Sequence, residues 1–142
     1  MRSIMKKVKI ALLLVMACWT TGVMAQEQVK QEVLLKTSQS WDGVAYKGYP
    51  AGEPEITVLK IIIPPNTSLP WHTHPMPNAA YVLAGELTVE KKQDGSKRQL
   101  HAGETLPEMV DALHRGYTGK DGATLIVFYA GSKGQALSHK QP

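Results

Sequence analysis

Cysteine is almost absent from this chain of 142 residues, and the single one, Cys18, lies near the N-terminus. One cysteine cannot form a disulfide within the chain. Since we expect the first 25 residues to be removed, the mature protein is predicted to contain no thiol. Its stability must then come from packing in one compact domain, for which about 117 of the 142 residues remain.

An excess of positive charge is also absent once the first 25 residues are set apart. The whole chain has 16 Lys and Arg against 12 Asp and Glu. Four of the basic residues and none of the acidic ones lie in positions 1–25, which leaves 12 of each sign and a net charge of zero. Nucleic-acid binding requires a clustered basic face, so no nucleic-acid partner is expected.

The apolar run near the N-terminus, residues 10–19, is too short to span a bilayer. It follows four basic residues and precedes Val23-Met24-Ala25, a pattern typical of a secretory signal peptide cleaved after Ala25. We therefore expect residues 1–25 to be a signal peptide and the mature chain to be exported, periplasmic or secreted, with no integral membrane segment. The alternative is a lipid anchor at Cys18, since Val15-Met16-Ala17-Cys18 resembles a lipoprotein cleavage box, which Met16 fits poorly.

The mature sequence shows strand and turn signals and no long helical period. Residues 55–63 and 123–130 have near-continuous apolar runs, as expected of strands buried in a two-sheet core. Gly85 separates two further short strands at a tight bend, and residues 29–37 fit either a first strand or a short helix. Many short strands punctuated by Gly and Pro predict an all-β sandwich or barrel.

Three of the five histidines form the most informative pattern of the chain. His72 and His74 are two residues apart, so in a strand both side chains point to the same face, and His114 follows 40 residues later. Imidazole is the commonest protein ligand of transition metals. The pattern predicts a metal centre with open coordination positions, while two histidines beside prolines also fit a surface loop.

The same residues resemble the two motifs of the cupin family. His72-Thr73-His74, Asn78 and Gly85 have the spacing of the first motif, and Gly103 with His114 has the spacing of the second. The resemblance implies a small jelly-roll barrel, also called a double-stranded β-helix, which holds one divalent metal: Fe, Mn, Ni or Zn. Within the family the chain is similar to small exported single-domain members.

The resemblance also implies an organisation of the chain. The barrel would cover residues 54–131, residues 26–53 would pack on it as strands or loop, and residues 132–142 would form a loose polar tail. Cupins commonly dimerise by sheet packing, and exposed sheet edges give a single-domain chain a reason to do so. The chain is therefore expected to be able to form a homodimer.

The sequence departs from the cupin pattern at the metal site. The glutamate of the first motif, a metal ligand in the family, is Asn78 here, and a neutral amide is a weaker ligand. Asn78 either ligates the metal or caps a local turn. In the second motif, Met109, Asp111 and Thr118 replace the usual Pro, Gly and Asn, which indicates a different loop around His114.

Glu108 is a candidate to supply the missing carboxylate. It occupies a position that is apolar and inward-facing in the family, and a buried carboxylate is costly unless a metal or a histidine satisfies it. We expect Glu108 to be a fourth ligand or a catalytic base beside the metal. A one-residue bulge would instead turn it outward.

The other aromatic and histidine residues are weaker candidates for the metal site. Tyr117 is the best aromatic candidate for the pocket mouth, and Trp71 should face away from the metal because it precedes His72. His101 and His139 are expected in a loop and in the tail.

Three functions stay open at this point. The first is a metal-dependent enzyme acting on a small molecule, such as an oxygenase, isomerase or hydrolase. The sequence has no motif for an organic cofactor, so the metal would carry the chemistry. The second is a non-catalytic module that binds a small ligand such as a sugar or a carboxylate. The third is a structural barrel. An inward Glu108 favours the enzyme, because a scaffold has little use for a charged interior group.

Overall fold

The computed structural model describes residues 28–141. The predicted signal peptide, residues 1–25, and with it Cys18 lie outside the described residues. The chain divides into two units, residues 1–31 and 32–142, and the fold belongs to the second. The described residues contain no α-helix, and therefore none long and apolar enough to cross a membrane.

The described fold is built from strands that pair antiparallel in one curled sheet, in the order β1-β7-β3-β6-β2-β8, with β4 and β5 also paired to β3. The predicted all-β jelly-roll barrel is confirmed. The strands are β1 (Pro54–Ile63), β2 (His72–Thr73), β3 (Asn78–Lys91), β4 (Lys97–His101), β5 (Thr105–Pro107), β6 (His114–Tyr117), β7 (Ala123–Ser132) and β8 (His139–Lys140).

The long strand β3 belongs to both halves of the barrel. Its first half pairs with β5 and β7, and its second half pairs with β4 and β6. The register shifts between Val82 and Ala84, a bulge that bends the strand. Gly85 follows with a φ of 77°, and a Cβ there would overlap the carbonyl oxygen of Gly122. The bend expected at Gly85 is present, but within one continuous strand.

Alternation along the strands places the core inside the barrel. On β7, Leu125, Val127 and Tyr129 are buried, while Phe128 between them is exposed. Inward residues of β1 and β3 pack against them, among them Ile63 and Val82. The same inward face therefore carries both the apolar core and, farther along, the polar site.

The apolar run at residues 55–63 packs into the core on one face only. Ile56, Val58 and Ile62 on the outer face of β1 are 68%, 57% and 70% exposed. Only the alternate residues of this strand, ending at Ile63, turn toward the core. An apolar run alone does not distinguish a strand buried on both faces from one with an apolar outer face.

Both ends of the described chain differ from expectation. Residues 29–37 form neither a strand nor a helix, and the pairing nearest to them is a single bridge between Gln39 and Ala45. The C-terminal residues are not a loose tail, because His139 and Lys140 pair with β2. The tail thus covers the strand that carries His72.

Candidate metal centre

The three histidines converge because two short strands lie side by side. His72 on β2 is directly opposite His114 on β6, and His74 follows His72 on the same face and bridges to Val110. One ring nitrogen from each lies within 4.8 Å of the others. His74 and His114 are 4% and 1% exposed, and His72 is half-buried. The predicted grouping is therefore present in the structure, in the barrel wall and not in a surface loop.

Hydrogen bonds orient each of the three imidazoles in the same way. The Nδ1 atom of each ring lies 2.8–2.9 Å from a backbone carbonyl oxygen. Since a carbonyl only accepts, Nδ1 carries the proton and Nε2 of a neutral ring keeps its lone pair. This is the second hydrogen bond that metal-ligating histidines commonly make. The carbonyl partners of His72, His74 and His114 are Pro70, Leu137 and Ala112, respectively.

Glu108 faces this group from the segment between β5 and β6. Its side chain is buried, and Oε2 lies 3.3 Å from Nε2 of His114. Neither of these two atoms has a hydrogen-bond partner among the described residues. With Nδ1 of His114 donating to Ala112, a neutral His114 places two acceptor atoms 3.3 Å apart, which is unfavourable unless a proton or a metal ion is shared. The site is therefore built to hold positive charge.

The protonation preferences of the site agree with that geometry. Burial raises the pKa of Glu108, but the nearby His114 outweighs it and holds that pKa below its ordinary value. Burial lowers the pKa of His114, but the Glu108 carboxylate outweighs it and raises that pKa. Burial lowers the pKa of His72 and His74, which keeps both rings neutral and able to ligate.

Asn78, the first residue of β3, is buried on the inward side of the sheet. Its Nδ2 donates to the carbonyl of Met76 at 3.2 Å, and its Oδ1 has no partner within the described chain. Asn78 is opposite Tyr129 on β7, whose ring lies 5.6 Å from that of His74. The amide nitrogen thus makes the local bond expected of a turn residue, while the oxygen remains available as an acceptor.

Two tyrosines near the site were missed by the sequence reasoning. Tyr129 is buried beside His74, and burial together with the charge of Glu108 raises its pKa to about 12, so it stays a neutral phenol. Alternation along residues 123–130 could have placed it inward. Tyr46 donates to the carbonyl of Glu108 at 2.7 Å across 62 residues, and no local pattern predicts that contact.

The interpretation of Tyr117 as a residue of the pocket mouth is wrong. Tyr117 lies on the outer face of β6 beside Arg115, with the guanidinium carbon 6.0 Å from the ring centroid. Three positions after His114 on a strand, its side chain points to the opposite face. Trp71 also faces away from the metal side, as expected, and stacks with Arg115 at 4.5 Å.

A model of the cupin domain matches residues 59–129, half of the chain. The chain therefore belongs to the cupin family. No curated protein matches it.

Solved structures share the fold at low sequence identity. A cupin-like protein from Thermotoga maritima is 15% identical with a TM-score of 0.52, over 61% of this chain and 64% of that one. Oxalate decarboxylase from Bacillus subtilis is 13% identical with a TM-score of 0.54, over 60% of this chain and 23% of the enzyme. A conserved double-stranded β-helix protein from Klebsiella pneumoniae is 21% identical with a TM-score of 0.50, over 64% and 90%. The chain thus spans less than two thirds of the first two.

Proposed function

We propose that this chain binds one divalent transition metal ion through Nε2 of His72, His74 and His114, with Glu108 beside it. The observation that supports the proposal most strongly is the common orientation of the three rings. Each has Nδ1 bonded to a carbonyl, which leaves Nε2 free to ligate, and one ring nitrogen of each lies within 4.8 Å of the others. The buried Glu108 oxygen without a partner supplies the negative charge that Asn78 does not.

We further propose that the metal serves an enzyme acting on a small molecule. A bound divalent ion would polarise a substrate oxygen or lower the pKa of a water molecule. Glu108 can hold or release a proton at Oε2, and the phenol of Tyr129 can donate a hydrogen bond to an anionic oxygen. Burying a carboxylate costs stability, so a purely structural barrel gains nothing from Glu108 at this position.

Metal analysis tests the metal proposal. The mature chain is stripped with a chelator, reloaded with Fe(II), Mn(II), Ni(II) or Zn(II), and desalted. We expect about one ion per chain for at least one metal, lost in His114→Ala and retained in the exposed control His101→Ala. Absence of stoichiometric metal under all four conditions would contradict the proposal. Equal binding by both variants would place the ion elsewhere.

Catalysis is tested with the loaded protein. Small hydroxy acids, keto acids and sugars are offered, and consumption is followed by NMR. Turnover that Glu108→Gln lowers at saturating metal supports the enzyme. Binding without turnover favours the alternative, a non-catalytic ligand-binding module.

A role in assembly has its own supporting observation. Ile56, Val58 and Ile62 are exposed on β1, and Phe128 on β7 lies directly opposite Val58. Apolar patches of this kind on a sheet face mark interaction surfaces. We propose that two copies pack through this face. Light scattering should give twice the monomer mass for the wild type and the monomer mass for Val58→Lys. A monomeric wild type at high micromolar concentration would refute this.

Export is proposed on the N-terminal pattern alone. Mass spectrometry of protein expressed from the full gene should give a chain beginning at Gln26. A lipid-modified chain beginning at Cys18 would instead support the anchored alternative.

A further inference from the structure

The residues that precede the cupin domain fold into a small hairpin, here called the N-terminal hairpin (residues 38–46). Gln39 and Ala45 form a bridge, the amide of Ser40 donates to the carbonyl of Val44, and the amide of Tyr46 donates to that of Ser38. This segment lies outside residues 59–129, which match the family. Its contacts therefore lie outside the matched region on the N-terminal side.

The N-terminal hairpin attaches to the segment that carries Glu108. The amide of Trp41 donates to the carbonyl of Pro107 at 2.9 Å, and the hydroxyl of Tyr46 donates to the carbonyl of Glu108 at 2.7 Å. Asp42 adds an ion pair with Lys91 of β3 at 2.7 Å. Two consecutive carbonyls at the end of β5 are thus held by the hairpin.

Glu108 depends on such contacts because it is not in a strand. β5 ends at Pro107, so a single backbone hydrogen bond ties Glu108 to the neighbouring strand β3. Its amide donates to the carbonyl of Asn78 at 3.0 Å, and its carbonyl accepts from Tyr46. With both backbone groups bonded, the direction in which the side chain leaves the backbone is set, and from there Oε2 lies 3.3 Å from Nε2 of His114.

We propose that Tyr46 is a positioning residue whose hydroxyl holds the Glu108 carboxylate at the metal site. The proposal rests on the proposed function, in which Glu108 contributes to metal binding. Removing the hydroxyl leaves the carbonyl of Glu108 without the hydrogen bond from Tyr46, so the residue can rotate and its carboxylate can leave the site. Metal affinity then falls although every ligand is still present.

Tyr46→Phe is the variant that tests this, because the ring stays in place and only the donor is lost. Metal affinity is measured by competition with a chelator of known affinity. We expect Tyr46→Phe to weaken binding about tenfold, the usual effect of losing a group that orients a ligand. The control is Tyr49→Phe, three residues after the hairpin. The side chain of Tyr49 is 79% exposed, and this variant should bind metal as the wild type does.

Two further comparisons separate positioning from general damage. In a Glu108→Gln background Tyr46→Phe should have no additional effect on affinity, because the positioned carboxylate is gone. The visible spectrum of the cobalt-loaded protein should change in Tyr46→Phe in the same direction as in Glu108→Gln. Asp42→Asn loosens the N-terminal hairpin but keeps the hydroxyl, and should leave the spectrum unchanged.

The outcomes distinguish this inference from the function it rests on. If Glu108→Gln weakens binding and Tyr46→Phe does not, the inference is wrong and the proposed function stands. If neither the wild type nor any variant binds metal, the proposed function itself fails. If Asp42→Asn and Tyr46→Phe weaken binding and alter the spectrum equally, the hairpin acts only on the stability of the protein and the inference is overturned. The same conclusion holds if Tyr46→Phe folds poorly and Asp42→Asn has the same effect on the metal site.

Discussion

Replacing Glu108 by Gln should weaken metal binding while leaving the metal-free fold as stable as before at a pH at which His114 is neutral. The substitution keeps the shape of the side chain and removes one negative charge 3.3 Å from Nε2 of His114. Two unit charges 4 Å apart interact by about 4 kcal/mol at an effective dielectric constant of 20. Desolvation of the buried carboxylate offsets much of this. A net loss of about 1.4–2.8 kcal/mol corresponds to roughly 10- to 100-fold in metal affinity.

The stability of the metal-free protein should not fall with the metal affinity when Glu108 is replaced by Gln. In the wild type, a neutral His114 has the lone pair of Nε2 close to an unpaired oxygen of Glu108. In the variant, the amide of the new Gln can donate a hydrogen bond to Nε2 instead. In Glu108→Gln, His114 can release its proton and become neutral, so the variant does not leave an unpaired positive charge buried in the site. At a pH above the raised pKa of His114, the free energy of unfolding should therefore be unchanged or about 0.5–1 kcal/mol higher. Below that pKa the variant loses the pair of Glu108 with protonated His114 and should be less stable than the wild type. A variant damaged in its fold would lose both stability and affinity.

Isothermal titration of the chelator-treated protein measures the affinity, and urea unfolding measures the stability. The exposed Glu55→Gln on β1 is the control for a change of charge alone. Wild-type affinity in Glu108→Gln would refute the assignment of Glu108 to the site. Strong destabilisation of the metal-free variant at a pH at which His114 is neutral would refute the argument about the two unpaired acceptor atoms.

Three further predictions concern the scaffold. Burial raises the pKa of Asp42, but hydrogen bonds from Lys91 and Ser40 outweigh it and lower that pKa. The ionised Asp42 therefore stabilises the fold above pH 3.8, and this stabilisation is lost as the pH falls through the lower pKa of the folded state. Asp42→Asn should lower the melting temperature at pH 7 but progressively less below pH 4. Gly85→Ala should prevent folding, whereas Gly95→Ala, also at positive φ but in open space, should yield folded protein by circular dichroism. Leu106→Ala should reduce the unfolding free energy by about 2–5 kcal/mol in urea titration, since Leu106 is fully buried.

The histidine site could be predicted from sequence because it depends on a local rule. Residues two apart on a strand share a face, which places His72 and His74 together whatever the rest of the chain does. His114 required the spacing of the second motif, and the structure places it opposite His72. Glu108 was found as a departure from the family pattern, because an inward carboxylate at an apolar position is costly without a partner.

The contacts that support the site could not be predicted in this way. His74 is oriented by the carbonyl of Leu137, 63 residues away, and Glu108 is held by Tyr46, 62 residues away. Backbone carbonyls are present at every residue, so the sequence does not mark which one will accept. Pairing of the polar C-terminal residues with β2 follows from the free edge of that strand, which is known only from the fold.

The outer face of β1 shows a third limit. Ile56, Val58 and Ile62 give the same apolar run whether the strand is covered on both faces or presents one face to a second molecule. Only the assembled sheet reveals which side the core occupies.

X-ray absorption at the metal edge of the zinc-loaded protein tests the central claim most directly. We predict three imidazole nitrogens at about 2.0–2.1 Å, completed by oxygen. Loss of one nitrogen in His72→Ala should follow. A first shell of oxygen alone, or a spectrum unchanged in His72→Ala, would contradict the claim that His72, His74 and His114 hold the metal.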